Sequence, residues 1–88
     1  MAIQVINNTS AKIQIAINQW GNDGNTDFFN IKDQGSESWD RTSELGFIMR
    51  VKNTNYDGPW YVEKGVIITF NKDNEPKVIG GRAFKIIF

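Results

Sequence analysis

Apolar residues recur at every second position along much of this chain. Ile13, Ile15 and Ile17 alternate with Lys12, Gln14, Ala16 and Asn18. A period of two places the isoleucines together on one face of a β-strand. Ile3 and Val5 follow the same rule until Ile6 interrupts it, and Phe47, Met49 and Val51 alternate with Ile48, Arg50 and Lys52. Trp39 stands between Ser38 and Asp40, which predicts a strand with the indole turned inward. The run Gly-Val-Ile-Ile-Thr-Phe at 65–70 is nearly continuous in apolar residues, as in a strand buried on both sides or at an interface. Phe84 to Phe88 read as a further strand.

Turn formers punctuate these runs at short intervals: Asn7-Asn8, Asn22 to Asn25, Gln34-Gly35, Asp57-Gly58-Pro59, Asn71 to Pro76 and Gly80-Gly81. Asp57-Gly58 and the stretch from Asn71 to Pro76 read as hairpin connections. Thr-Ser-Glu-Leu-Gly at 42–46 is the one candidate for a helical turn. Short strands separated by turns predict an all-β chain with a single domain spanning 1–88. The expected fold is a small antiparallel β-sandwich, with a closed antiparallel barrel as the alternative.

Composition narrows the function. The 88 residues include no cysteine and no histidine, which removes disulfides, thiolate chemistry and the usual near-neutral proton shuttle. Together with an opening that lacks a basic, apolar leader, this sets the expectation of a cytoplasmic protein. Asn7-Asn8-Thr9 and Asn8-Thr9-Ser10 both have the form of glycosylation sequons, but their expected role is in a turn. Ten basic and ten acidic residues cancel and are scattered, so no nucleic-acid partner and no binding to anionic membranes by charge alone is expected.

No catalytic constellation assembles. Asp23 with Asp27, or Glu37 with Asp40, are carboxylate pairs of the kind glycoside hydrolysis uses, but such pairs are common on solvated surfaces. The expectation is a non-enzymatic protein without cofactor. Asp23, Asn25 and Asp27 have the alternate spacing that opens a calcium loop. Phe28 and Gln34, however, stand where such a loop needs Gly and Glu, so no metal site is expected.

The aromatics carry the functional expectation. Trp20 ends its strand just before Gly-Asn-Asp-Gly-Asn, and Tyr56 and Trp60 flank Asp57-Gly58-Pro59. Alternation puts Trp60 and Val62 on one face and Tyr61 on the other, so at least one of Trp60 and Tyr61 faces outward. A sugar stacks its apolar C–H face on a ring and exchanges hydrogen bonds with amides and carboxylates. Two loops suit that need. One holds Asn55, Tyr56, Asp57 and Trp60; the other holds Trp20, Asn22, Asp23 and Asn25. Protein interfaces use the same residue types, so a protein-docking role stays open beside it.

The stretches Ile-Gln-Val-Ile-Asn-Asn-Thr (3–9), Gly21 to Gly24 and Ile31 to Trp39 resemble segments of small intracellular β-sandwich proteins of mushroom-forming fungi. More distantly, they resemble actinoporin-like and aegerolysin-like proteins. The match covers roughly the first half of the chain and departs at Asp33-Gln34-Gly35, where those proteins often carry a Pro-Gly turn. The resemblance implies a sandwich whose relatives bind sugars or membrane lipids, often in defence of the fruiting body. It carries over no binding residue.

The resulting expectation is a small, oligomeric, carbohydrate-binding protein. A lipid-surface binder and a protein-interaction or inhibitory module are the alternatives. Self-association would bury the run at 65–70 or the run at 84–88 against a second copy and multiply weak glycan sites.

Overall fold

The computed structural model describes residues 2–19, 26–41, 43–53, 56–72 and 74–87. Trp20, Asn22, Asp23, Asn25 and Asn55 lie outside them. The described residues form nine strands: β1 (Ala2–Asn8), β2 (Ile13–Ile17), β3 (Phe29–Ile31), β4 (Ser36–Asp40), β5 (Phe47–Lys52), β6 (Gly58–Val62), β7 (Ile67–Asn71), β8 (Lys77–Ile79) and β9 (Ala83–Lys85). One sheet has the order β4-β1-β7-β8 and the other β3-β2-β5-β6-β9. Both keep open edges, so the fold is a β-sandwich and the barrel is not formed. Every pairing is antiparallel except that of β1 with β7, which is parallel.

The alternating residues form the core. Ile13, Ile15, Ile17, Phe47, Met49 and Val51 are buried from one sheet; Ile3, Val5, Ile68 and Phe70 meet them from the other. Trp39 is inward as expected, edge-on to Phe29 at 5.8 Å, although its Nε1 has no partner among the described residues.

The run at 65–70 alternates in burial and occupies a central strand, with Ile67 and Thr69 half-buried on the outer side. It is therefore not buried on both faces within this chain. The helical turn expected at 42–46 is replaced by a hydrogen-bonded turn around Glu44 and Leu45, closed by the Ser43 hydroxyl accepting from the Leu45 amide at 3.1 Å. A serine hydroxyl that satisfies a nearby amide competes with helix formation.

Two buried polar side chains join the sheets at opposite ends of β1. Asn7 is fully buried. Its Nδ2 donates to the carbonyls of Ala11 (2.7 Å) and Ile31 (2.8 Å), while Oδ1 accepts from the amide and the hydroxyl of Thr9. Its main chain pairs with Gly35 and Gln34. Both amide hydrogens are thus in use, and from its place in β1 the side chain braces the turn that follows the strand. At the far end Arg41, 1% exposed, donates to the carbonyls of Ile17, Asn18 and Asp40.

Removing the carboxamide leaves the Ile31 carbonyl buried without that donor and the Thr9 amide and hydroxyl without their acceptor, at about 1–3 kcal/mol for a buried group left unsatisfied, whereas the Ala11 carbonyl keeps the Thr9 hydroxyl. Asn7→Ala should therefore lose about 3 kcal/mol, whereas Asn30→Ala, on an exposed position, should change stability by less than about 0.5 kcal/mol. Urea unfolding midpoints at unchanged slope would show the difference.

Candidate functional site

The β8–β9 link crosses from the edge of one sheet to the edge of the other within residues 80–82. Gly80 permits the crossing. Its φ is +81°, and a Cβ there would lie 2.5 Å from the Gly65 carbonyl oxygen. A groove of about 290 Å³ lies beside these edges, lined by Tyr56, Trp60, Glu75, Pro76, Val78, Ala83, Phe84 and Lys85. Two turns and two edge strands contribute to it, so residues far apart in sequence share one opening.

Tyr56 and Trp60, two of the expected ligand residues, do meet here. Trp60 is only 5% exposed: its ring packs edge-on against Phe70 at 5.5 Å, and its Nε1 donates to the Tyr56 carbonyl at 3.0 Å. It offers the groove an edge instead of an open stacking face, because Val62 draws that side of β6 into the core. Tyr56 is half-buried, and its hydroxyl donates to the Asn74 carbonyl at 2.7 Å, which ties the β5–β6 turn to the β7–β8 turn. Asp57 is exposed and does not line the groove.

The open ring is Phe84, 52% exposed and stacked at 5.1 Å on Tyr61, which takes the outer face of β6. Glu75 and Lys85 bring a carboxylate and an ammonium to the same groove. Sequence reasoning missed Phe84, Glu75 and Lys85. Only the strand order brings them beside Tyr56; the apolar character of residues 84–88 was the one local signal.

A second cleft, of about 220 Å³, is lined by Ser43, Glu44, Gly46, Glu63, Lys64, Gly80 and Gly81. Glu63 is held below the ordinary carboxylate range, first by the Arg82 amide donating to Oε1 at 2.8 Å, then by the Tyr61 hydroxyl and the Arg82 guanidinium on Oε2. Glu44 is likewise lowered by its hydrogen bond and charge pairing with Lys64 at 2.5 Å. That pair is exposed, and such contacts add little to stability. Both carboxylates are ionised near neutral pH and can accept hydrogen bonds but not donate them.

The carboxylates of Glu37 and Asp40 do not form a pair. They are three positions apart on β4, so Glu37 shares the Trp39 side and Asp40 the other. Among the described residues no group of three or more His, Cys, Asp or Glu could hold a metal ion. Among them, too, no helix is long and apolar enough to cross a membrane.

Glu63 fastens β9 to β6 through Arg82, and the sign of its effect follows from its lowered pKa. Its stabilising contribution is complete above the unfolded value near 4.5 and is lost as pH falls through the lower folded value. Glu63→Gln should be less stable than the parent at pH 6, with the gap closing as pH falls below the ordinary carboxylate range. Urea midpoints measured across that range would check it.

No family model matches the chain, no curated protein matches it, and no solved structure matches it.

Proposed function

We propose that this protein is a non-enzymatic carbohydrate-binding protein and that the groove between β8 and β9 is its sugar site. The observation that carries the reading is the meeting of an exposed ring, Phe84, with Tyr56 and Pro76 around a groove that also holds Glu75 and Lys85. Its volume, about 290 Å³, falls at the small end of ligand sites, which run from about 300 Å³ upward. That is room for a short saccharide.

The chemistry follows from the residue types. Phe84 stacks on an apolar sugar face, the role first expected of Trp60. Glu75 accepts from neighbouring hydroxyls and Lys85 donates to a ring or hydroxyl oxygen. Tyr56 and Trp60 shape the floor, and their mutual hydrogen bond keeps it in place before ligand arrives. A preformed floor lowers the ordering cost of binding.

A glycan array with the wild-type protein should show a set of related glycans. Phe84→Ala and Glu75→Gln, both at exposed positions, should each weaken the best of them about tenfold, equivalent to roughly 1.4 kcal/mol. Ligand should also shift Trp60 emission, since its edge borders the groove. An array that stays dark with a folded protein would sink the proposal.

A further inference from the structure

The charges that cancel along the sequence are sorted by the fold. None of the strands β3, β2, β5, β6 and β9 contains an Asp or Glu, whereas β5 carries Arg50 and Lys52 and β9 carries Lys85. In the other sheet β4 carries Glu37 and Asp40, and β8 carries Lys77. On the outer face of the five-stranded sheet the cations are Arg50 and Lys52, since Lys85 registers with Trp60 and turns to the groove; the carboxylate of Glu63, which reaches this face at the Tyr61 hydroxyl, is paired with Arg82. The nearest acid in the register is Asp57, in the turn opposite Lys52.

Apolar side chains lie in a row on the same face. Strand register sets Ile48 beside Tyr61 and Tyr61 beside Phe84. Ile48 is 44% exposed and Phe84 is more exposed still. Two residues further along β5, Arg50 stands beside Ala16 and Pro59. Lys52 follows, its ammonium 4.1 Å above the Phe28 ring. Row spacing in a strand is about 7 Å for two residues, so the apolar row and the cations are near neighbours.

This combination selects among occupants. A second copy would bring like charges face to face, which costs free energy. A single-stranded nucleic acid stacks its bases on open rings, but Tyr61 is already stacked on Phe84 and its hydroxyl is tied to Glu63, and Ile48 gives bases nothing to stack on. A lipid surface uses all of it: aliphatic and aromatic tips enter the headgroup boundary while Arg and Lys meet anionic headgroups. A sheet face also meets a plane without needing a matched concavity.

We infer that the outer face of this sheet docks on an anionic phospholipid surface, with Arg50 and Lys52 at the headgroups and Ile48, Tyr61 and Phe84 at the interface. The face is separate from the groove except at Phe84, so the test leaves Phe84 untouched. Wild-type protein, Arg50→Glu, Lys52→Glu and Lys77→Glu would be sedimented with vesicles of phosphatidylcholine alone and with phosphatidylserine added. Lys77→Glu alters net charge equally but lies on the opposite sheet.

The expected result is binding to the serine-containing vesicles only, weakened by salt and reduced at least about fivefold by Arg50→Glu and by Lys52→Glu, with Lys77→Glu close to wild type. Any of four results would overturn it. The first is no binding to anionic vesicles. The second is equal binding to neutral ones, and the third is an equal loss in Lys77→Glu. Capture of soluble polyglutamate without vesicle binding would point instead to an acidic protein and also overturn it. None of the three substituted residues lines the groove, so a glycan result on the same proteins stands or falls independently.

Discussion

The Asn7 carboxamide holds together an end of the sandwich that no apolar contact could organise. It sits in β1, yet its amide group reaches Ile31 at the close of β3 in the opposite sheet, and it also satisfies the turn that leads from β1 to β2. Ser10 and Gln34, both in the sparsely populated left-handed region, lie in the turns it braces. Ser10 adds a link of its own, its amide donating to the Asp33 carboxylate at 2.9 Å. Burying a polar group is costly unless every hydrogen-bonding site is used. Here each is used, so the same residue that would weaken the core instead specifies which turn meets which strand. Arg41 performs a matching task at the other end, where it gathers carbonyls from β2, from the residue after it and from β4.

With the two ends set, the sandwich still has sides, and one of them holds the groove. Sheets that close neither on themselves nor on each other leave edge strands, and proteins generally shorten, charge or cover them. β8 and β9 are short and carry Lys77 and Lys85. Their edges leave a passage between layers wide enough for the rings of Tyr56 and Phe84 to border it. The proposed sugar site is in this sense a by-product of an open sandwich, made specific by what the two neighbouring turns deliver.

Much of the fold was legible because alternation is a local signal. Ile13, Ile15 and Ile17 declared their common face without help from any other residue, and so did Phe47, Met49 and Val51. Trp39 between two polar neighbours was equally plain. Alternation names faces but not neighbours, however, so nothing local announced that β1 would lie parallel to β7. The face of Trp60 was half-legible. Val62 shares it, and Val62 is a core residue, but a ring beside a turn could have gone either way. Phe84, Glu75 and Lys85 could not be grouped with Tyr56 in advance, because only the order β6-β9 in one sheet and β7-β8 in the other makes them adjacent. The sorting of charge was hidden for the same reason: evenly scattered residues become segregated once strands are dealt between two layers.

The parallel pair bears on how the chain reaches this state. β1 lies between β4 and β7 in its sheet, and Gln4 is opposite Ile67, so β1 cannot complete its hydrogen bonding until β7 has been made. During synthesis β1 and β4 can meet as an antiparallel pair, but one flank of β1 stays bare until β7 arrives. Contacts between such distant segments must overcome the entropy of closing a long loop, and they slow folding relative to local pairings. Until then Ile3 and Val5 have only part of their final cover. A nascent chain of this architecture thus stays open to wrong pairings along that flank until β7 has been made.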